Sequence, residues 1–158
     1  MVQITRPLRP ADAPAAAALH AMGFADAWSE AAFASQIADP ATLSFAHFEE
    51  RDLVAFALVR VVAGEADILT VATHPARRRQ GLAFALLTVL MHWLVDDRVS
   101  RITLDVAEDN TSARRLYDRL GFTLDGRRKG YYTAGSAAPV DALLMSRPLT
   151  QQNPPFPK

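Results

Sequence analysis

The 158-residue sequence contains no cysteine. Disulfide bonds, a thiolate nucleophile on the protein and any metal site built from cysteine are therefore excluded, and we expect no metal. An excess of charge of one sign is also missing, because Lys plus Arg and Asp plus Glu each number 17. A protein held to nucleic acid mainly by phosphate contacts would show a basic excess, so we expect no direct nucleic-acid partner.

Long apolar runs are missing as well. Residues 1–7 lack the apolar core of a signal peptide. The longest apolar stretch, residues 82–95, is interrupted by Thr88 and His92, and it is shorter than the ~20 residues that a membrane span needs. We therefore expect a cytoplasmic protein without membrane contact, present as a monomer or weak dimer.

The order of apolar segments and turn residues predicts a mixed α/β fold. We expect strands near residues 2–6, 42–48, 53–62, 67–73, 101–106, from 121 onward and 140–146, and helices near residues 10–22, 29–39, 81–95 and 111–120. Asp12 is the expected cap of the first helix. The helix at 81–95 is apolar nearly all round, which indicates burial against a sheet rather than half exposure.

The middle of this series, strand–helix–strand, implies a crossover helix between two parallel strands. Antiparallel strands should flank this pair, giving one mostly antiparallel sheet with helices on both faces. We expect a single domain over residues 1–149 and a loose tail over residues 150–158, which hold three prolines.

One short segment, Arg78-Arg79-Gln80-Gly81-Leu82-Ala83, lies between a predicted strand and the apolar helix. The first amides of a helix have no partner within the helix, and the helix dipole is positive there, so this turn is suited to bind phosphate. A glycine that serves only helix–strand packing is the competing interpretation. The spacing fits neither the phosphate loop of nucleotide hydrolases nor the dinucleotide fingerprint.

A second segment runs from Asn110 to Phe122. Asn110 and Tyr117 are seven residues apart, about two helical turns, and therefore share a face of the predicted helix. From the residues alone, Asn110 is most simply a helix cap, and Tyr117 belongs to an apolar stripe that packs in the core.

Together the two segments resemble the signatures of the GCN5-related N-acetyltransferases, Arg/Gln-x-x-Gly-x-Gly/Ala and Asn-x-x-Ala-x-x-x-Tyr-x-x-x-Gly-Phe. The resemblance implies acetyl-CoA as the acetyl donor and Asn110 as a contact to it. It implies that Tyr117 protonates the departing CoA thiolate, a task that a phenol of pKa ~10 can perform. The pantetheine arm would pair with Val71, Ala72 and Thr73, and the pyrophosphate would contact Arg79, Gln80, Gly81, Leu82, Ala83 and Phe84.

The acceptor amine must be neutral to attack a thioester. A protein α-amino group has a pKa near ~8, so a modest base is enough, either directly or through a water. Asp105 is the candidate, because it lies at the end of strand 101–106 on the face opposite Ile102 and Leu104. Glu65 and Asp67 are rival bases.

Further matches at residues 28–30, 126–132 and 141–145 resemble the RimI-type branch of the family, the ribosomal-protein-alanine N-acetyltransferases. This resemblance implies that the acceptor is the N-terminal alanine of a small-subunit ribosomal protein, acetylated by direct attack in a ternary complex. It also places Tyr131 and Tyr132 in a loop that shapes the acceptor slot. The branch usually has glutamate where this chain has Asp105. Acetylation of a small-molecule amine or a lysine, and a non-catalytic acetyl-CoA-binding module, are the alternatives.

Overall fold

We analysed a computed structural model of the chain, which describes residues 1–133 and 138–150. Apart from Thr150, the predicted tail lies outside the described residues. The strands are β1 (Gln3–Arg6), β2 (Thr42–Glu49), β3 (Asp52–Val62), β4 (Glu65–Thr73), β5 (Arg101–Ala107), β6 (Thr123–Tyr132) and β7 (Val140–Pro148). The helices are α1 (Ala13–Ala21), α2 (Glu30–Ala38), α3 (Leu82–Asp96) and α4 (Thr111–Arg119).

The seven strands form one sheet in the order β1-β2-β3-β4-β5-β7-β6. Strands β4 and β5 are parallel, joined by the crossover through α3, and each of the other neighbouring pairs is antiparallel. The predicted mixed sheet with one parallel pair at its centre is therefore confirmed.

The parallel pair is short. Strands β4 and β5 are in register only over residues 65–67 and 101–103, although β4 continues to Thr73 and β5 to Ala107. Within β4 the pairing with β3 skips Leu69, because Leu58 pairs with Thr70 and Val59 pairs with Ile68. A bulge of this kind bends the strand that carries it. It lies just where β4 stops pairing with β5, and a gap opens in the middle of the sheet.

Helices cover both faces of the sheet. On one face α3 and α4 pack in a cluster that includes Leu87, Leu90 and Ile102. On the other face α1 and α2 pack in a second cluster that includes Phe33 and Phe56. The burial of these apolar side chains is the main source of stability in such a layered fold.

The first two helices differ in how they begin. Ser29 caps α2 by accepting a hydrogen bond from the Ala32 N–H at 3.1 Å. Asp12 does not cap α1 with its side chain. Its carboxylate instead accepts from the Arg6 guanidinium at 2.7 Å and from the Arg9 N–H at 2.6 Å. A strong ion pair to β1 has replaced the predicted cap.

The prediction that α3 is buried all round is wrong. Val89 and Trp93 lie four residues apart on the outer side of the helix, and Trp93 is 57% exposed. A helix that lies on a sheet can bury only the side that faces it, whatever the composition of the other side. In the described part of the chain, no helix has both the length and the apolar character required to cross a bilayer.

Candidate active site

A cleft of about 900 Å³ opens where β4 and β5 separate. Its walls come from the end of β4, the start of α3, the inner face of α4 and the loop after α1. Its lining includes ten of the predicted site residues: Val71, Ala72, Thr73, Arg79, Gly81, Leu82, Ala83, Phe84, Asn110 and Tyr117. Two segments that are about 30 residues apart in the sequence therefore meet in one site.

The start of α3 leaves its backbone amides open towards this cleft. Gly81 precedes the helix with φ 80°, a left-handed conformation that favours glycine, and no side chain caps the helix. A Cβ built on Gly81 would have no heavy atom within 4 Å, so open space lies in front of it. The amides of Leu82 and Ala83 therefore lie at a helix end that has no side-chain cap, a geometry suited to a phosphate.

The cleft side of this turn is strongly cationic. Five arginines contribute to the lining: Arg77, Arg78, Arg79, Arg115 and Arg119. The Arg119 guanidinium also lies over the Phe84 ring, 4.7 Å from its centre, and so connects α4 to the first turn of α3. The chain has no net charge overall, but this site has a concentration of positive charge that would attract an anionic ligand.

The end of β4 supplies a second row of backbone groups. Residues Val71 to Thr73 pair with β3 on one side, at Ala57, Phe56 and Ala55. Their other side faces the gap beyond the short β4–β5 pairing. An extended ligand can bond to this edge as an additional strand would.

Asn110 directly precedes α4 and Tyr117 lies within it, and each has two roles. Asn110 caps the helix, its Oδ1 accepting from the Ala113 N–H at 3.2 Å, and also lines the cleft. Tyr117 is only 7% exposed and packs its ring edge-on to Phe122, 5.6 Å away. Burial, and then the neighbouring Tyr132 phenol, raise the pKa of Tyr117 well above its usual value of 10. Its hydroxyl is therefore protonated throughout the physiological range.

Asp105 lies in the middle of β5, two residues before its end rather than at the last position. Its carboxylate is 39% exposed and 4.0 Å from the Arg128 guanidinium. Burial, followed by the charge of Asp105, raises the pKa of Tyr132. Tyr132 in turn contributes, after burial, to the raised pKa of Tyr117.

The prediction that Tyr131 and Tyr132 lie in a loop is wrong, because they are the last two residues of β6. Their rings meet edge-on at 5.2 Å, and the Arg128 guanidinium lies 5.3 Å from the Tyr131 ring centre. Strand propensity of the aromatic pair explains the extended conformation. Neither tyrosine, nor Asp105, contributes to the lining of the cleft described above.

The two rival bases differ in position. Glu65 is at the start of β4, where its carboxylate lies 3.8 Å from the Arg101 guanidinium. Asp67 accepts a hydrogen bond from the Thr103 hydroxyl at 2.7 Å. Burial and, more weakly, the charge of Asp105 raise the pKa of Asp67, while the Thr103 hydrogen bond opposes this shift. Asp67 therefore lies near Asp105, where β4 and β5 separate. Glu65 lies at the first residue of β4, where the two strands are still paired.

Gln80 is the one residue of the predicted turn that does not line the cleft. Its side-chain oxygen accepts from Arg77 Nε at 2.8 Å. Its amide side chain is thus bonded within the protein.

Three lining residues, Leu19, Gly23 and Phe24, come from α1 and the loop after it and were not expected from the sequence. The loop is anchored by His20, which is 2% exposed. Its Nδ1 accepts from the Trp28 N–H at 3.0 Å, and its Nε2 lies 3.0 Å from the Thr70 hydroxyl beside the β4 bulge. Phe24 stacks on the His20 ring at 4.1 Å. A single histidine in an Ala-rich helix gives no sequence signal for this arrangement.

A family model described as "Acetyltransferase (GNAT) family" matches residues 13–122. The chain belongs to this family. Members of the family use acetyl-CoA as acetyl donor, and the open amides of α3, the arginines and the β4 edge suit the diphosphate and the extended arm of that molecule. The matched range includes both segments that line the cleft, but not β6 or β7.

Relatives match nearly the whole chain. The [ribosomal protein bS18]-alanine N-acetyltransferase of Escherichia coli K12 is 34% identical over 143 residues, which is 90% of this chain and 95% of that one. The putative enzyme of the same name from Bacillus subtilis is 26% identical over 80% of this chain and 83% of its own. The crystal structure of the ribosomal-protein-S18-alanine N-acetyltransferase from Escherichia coli superimposes with a TM-score of 0.88, covering 99% of this chain and 100% of that one at 31% identity.

Proposed function

We propose that this chain transfers the acetyl group of acetyl-CoA to the α-amine of the N-terminal alanine of a small-subunit ribosomal protein. One observation carries the acetyl-transfer part: the open start of α3, the free edge of β4 and Tyr117 line a single cleft. The acceptor is supported by 34% identity, across 90% of the chain, to an enzyme named for the alanine of ribosomal protein bS18.

In this proposal the donor is held mainly by backbone. The amides of residues 79–84 bind the diphosphate, and Val71, Ala72 and Thr73 bond to the pantetheine arm. The Asn110 Oδ1 already accepts the hydrogen bond that caps α4. In this proposal Asn110 therefore contacts the donor through its side-chain Nδ2. Gln80 contributes its backbone, because its side-chain oxygen is bonded to Arg77.

Direct attack by the amine requires a proton to leave it and a hydrogen bond to reach the departing sulfur. We assign the first task to Asp105, directly or through a water, and the second to the Tyr117 hydroxyl. With its raised pKa, Tyr117 is a weak acid relative to a thiol of pKa ~8.5. It therefore stabilises the developing thiolate by a hydrogen bond and keeps its own proton, and the departing thiolate takes up a proton from solvent.

The acceptor enters from the side of β6 in this proposal. Tyr131 and Tyr132 form one wall beside Asp105, and Phe24 forms part of the opposite wall. A ribosomal acceptor requires that enzyme and ribosome share a compartment, so the cytoplasm belongs to the proposal. So does a single acetyltransferase domain over residues 1–149.

The test is a mass measurement. The protein is incubated with acetyl-CoA and a peptide that carries the N-terminal sequence of a bS18 protein beginning with alanine. Two matched peptides serve as controls, one with its α-amine already blocked by formyl and one with an internal lysine as its only free amine. The proposal predicts a gain of one acetyl group on the first peptide and none on the controls.

Acetylation of the lysine control alone would contradict the assigned acceptor and support the lysine alternative. If the protein binds acetyl-CoA but modifies no peptide and no small amine, it is a binding module instead.

A further inference from the structure

Glu49 is a buried acidic residue at the end of β2 that the acetyl-transfer reaction does not use. Its side chain is only 10% exposed and accepts a hydrogen bond from Arg77 Nη1 through Oε2. Its other oxygen, Oε1, is buried and has no hydrogen-bond partner within residues 1–133 and 138–150. Burying a carboxylate with an unsatisfied oxygen is costly, so its presence calls for a function other than stability.

The partner of Glu49 leads directly to the phosphate-binding turn. Arg77 ends a short 3-10 turn, Pro75–Arg77, that follows β4. Its guanidinium bonds to Glu49 through Nη1 and, through Nε, donates to the Gln80 side chain at 2.8 Å. One side chain thus connects strand β2 with the residue that precedes Gly81.

The turn needs such support from outside. Arg79 has φ 62° and Gly81 has φ 80°, so two left-handed residues flank Gln80. For a residue other than glycine this conformation is strained, because the Cβ lies too close to the carbonyl oxygen that follows it. The helix that follows has no side-chain cap to fix its first turn. The Arg77–Gln80 bond therefore restrains a segment that its own backbone preferences do not fix.

The other neighbour of Glu49 does not replace Arg77. His47 Nε2 lies 3.9 Å from Oε1, too far for a hydrogen bond. Burial, together with the positive charge of Arg77, lowers the pKa of His47, which keeps its imidazole neutral at pH 7. Arg77 is the cation that Glu49 holds.

We propose that Glu49 is a positioning residue for donor binding: it fixes Arg77, and through Arg77 it fixes Gln80, so that the amides of residues 79–84 are preset to receive a diphosphate. The proposal rests on the proposed function and adds to it a residue outside the cleft. Glu49 does not line the cleft, so any effect of its removal on donor binding must pass through Arg77.

The variant Glu49→Gln tests this by calorimetric titration with coenzyme A. We expect the Kd for coenzyme A to rise about tenfold, with the KM for acetyl-CoA rising in parallel and kcat at saturating donor changing less than about twofold. The matched control is Asp39→Asn, which breaks the ion pair with Arg60, 3.4 Å long, at the opposite end of β2. The control should leave the Kd unchanged.

A second arm separates positioning from a general loss of structure. With S-acetylpantetheine, which lacks the diphosphate, kcat/KM should be the same for wild type and Glu49→Gln. In an Arg77→Gln background, adding Glu49→Gln should weaken coenzyme A binding less than twofold further, because the two residues act as one unit.

An unchanged Kd in Glu49→Gln, or an equal loss with S-acetylpantetheine, would overturn the proposal. If Glu49→Gln does not fold, Glu49→Asp replaces it, and a rise in Kd of about threefold supports the proposal while an unchanged Kd overturns it. Failure of the wild type itself to bind coenzyme A would instead overturn the proposed function, so the two failures are distinguishable.

Discussion

The donor half and the acceptor half of the site are built in different ways. The proposed donor half draws on backbone groups of residues 71–73 and 79–84, and all of these residues except Gln80 line one cleft. The proposed acceptor half consists of side chains, namely Asp105 on β5 and Tyr131 and Tyr132 on β6, with Phe24 shared between it and the donor cleft. A site made of backbone amides depends on the shape of the chain more than on which side chains it carries, whereas a site made of side chains depends on each of them.

The largest effect should follow from Gly81→Asp in the donor half. An aspartate there would cap α3 and compensate for the left-handed φ, so the protein should still fold. Its carboxylate would accept hydrogen bonds from the amides at the start of α3 and would repel a phosphate. The Kd for coenzyme A, measured by calorimetry, should therefore rise more than about 100-fold. Gly64→Asp is the matched control, because Gly64 also has φ 77° and open space but lies in the β3–β4 turn. A mild effect of Gly81→Asp would show that the donor half is not made of these amides.

Tyr117→Phe tests the residue at the junction of the two halves. Removing the hydroxyl should lower kcat about 100-fold, within the range for the loss of one preorganised hydrogen-bond donor to a developing negative charge, while the Kd for coenzyme A stays within about twofold. Because the pKa of Tyr117 is raised, kcat of the wild type should show no falling limb up to pH 10. Ser100→Ala, which removes a hydroxyl that bonds to the Gly64 carbonyl outside the cleft, is the control. A falling limb near pH 9 would show that Tyr117 loses its proton more easily than this site implies.

Asp105→Asn should have a smaller effect, confined to the acceptor half. We expect kcat/KM for the peptide to fall about tenfold at pH 7 and the deficit to shrink above pH 8, where the α-amine is already neutral. Steady-state kinetics across this pH range make the measurement, with Glu65→Gln as the control. If Asp105→Asn leaves kcat/KM for the peptide unchanged, the base is Asp67 or a water.

The smallest expected effect concerns the loop after α1. Burial lowers the pKa of His20 below its usual 6.5, so between the two values the folded chain binds fewer protons than the unfolded chain. The contribution of His20 to the free energy of unfolding is therefore fully present above about pH 6.5, and it is lost as the pH falls through the pKa of the folded state. We expect Tm to drop about 2–4 °C more between pH 7 and pH 5 in the wild type than in His20→Gln. The same pH dependence in both proteins would contradict this assignment, and His92→Gln should behave like the wild type.

The cleft-lining residues could be predicted from the sequence because their signal is local. Gly81 after a strand and before an apolar helix, and Asn110 seven residues before Tyr117, are short patterns whose positions follow from secondary structure. Their role in donor binding came from the family resemblance and stays a prediction. The strand order of the sheet centre followed from the same alternation.

The features that could not be predicted depend on contacts between distant residues. Leu69 has no glycine or proline beside it to signal the bulge that opens the cleft. Phe24 is placed at the cleft by stacking on His20, which in turn contacts Thr70. Trp93 shows that apolar composition does not reveal which side of a helix faces solvent. Glu49 gave no signal either, because its role depends on Arg77, 28 residues away.

The central claim is that the amides at the start of α3 bind the diphosphate of the acetyl donor. A crystal structure of the protein with coenzyme A tests it most directly. We predict diphosphate oxygens within about 3.2 Å of backbone nitrogens in residues 81–84, with the pantetheine arm along Val71–Thr73. A diphosphate bound elsewhere, with the turn before α3 unoccupied, would contradict the account.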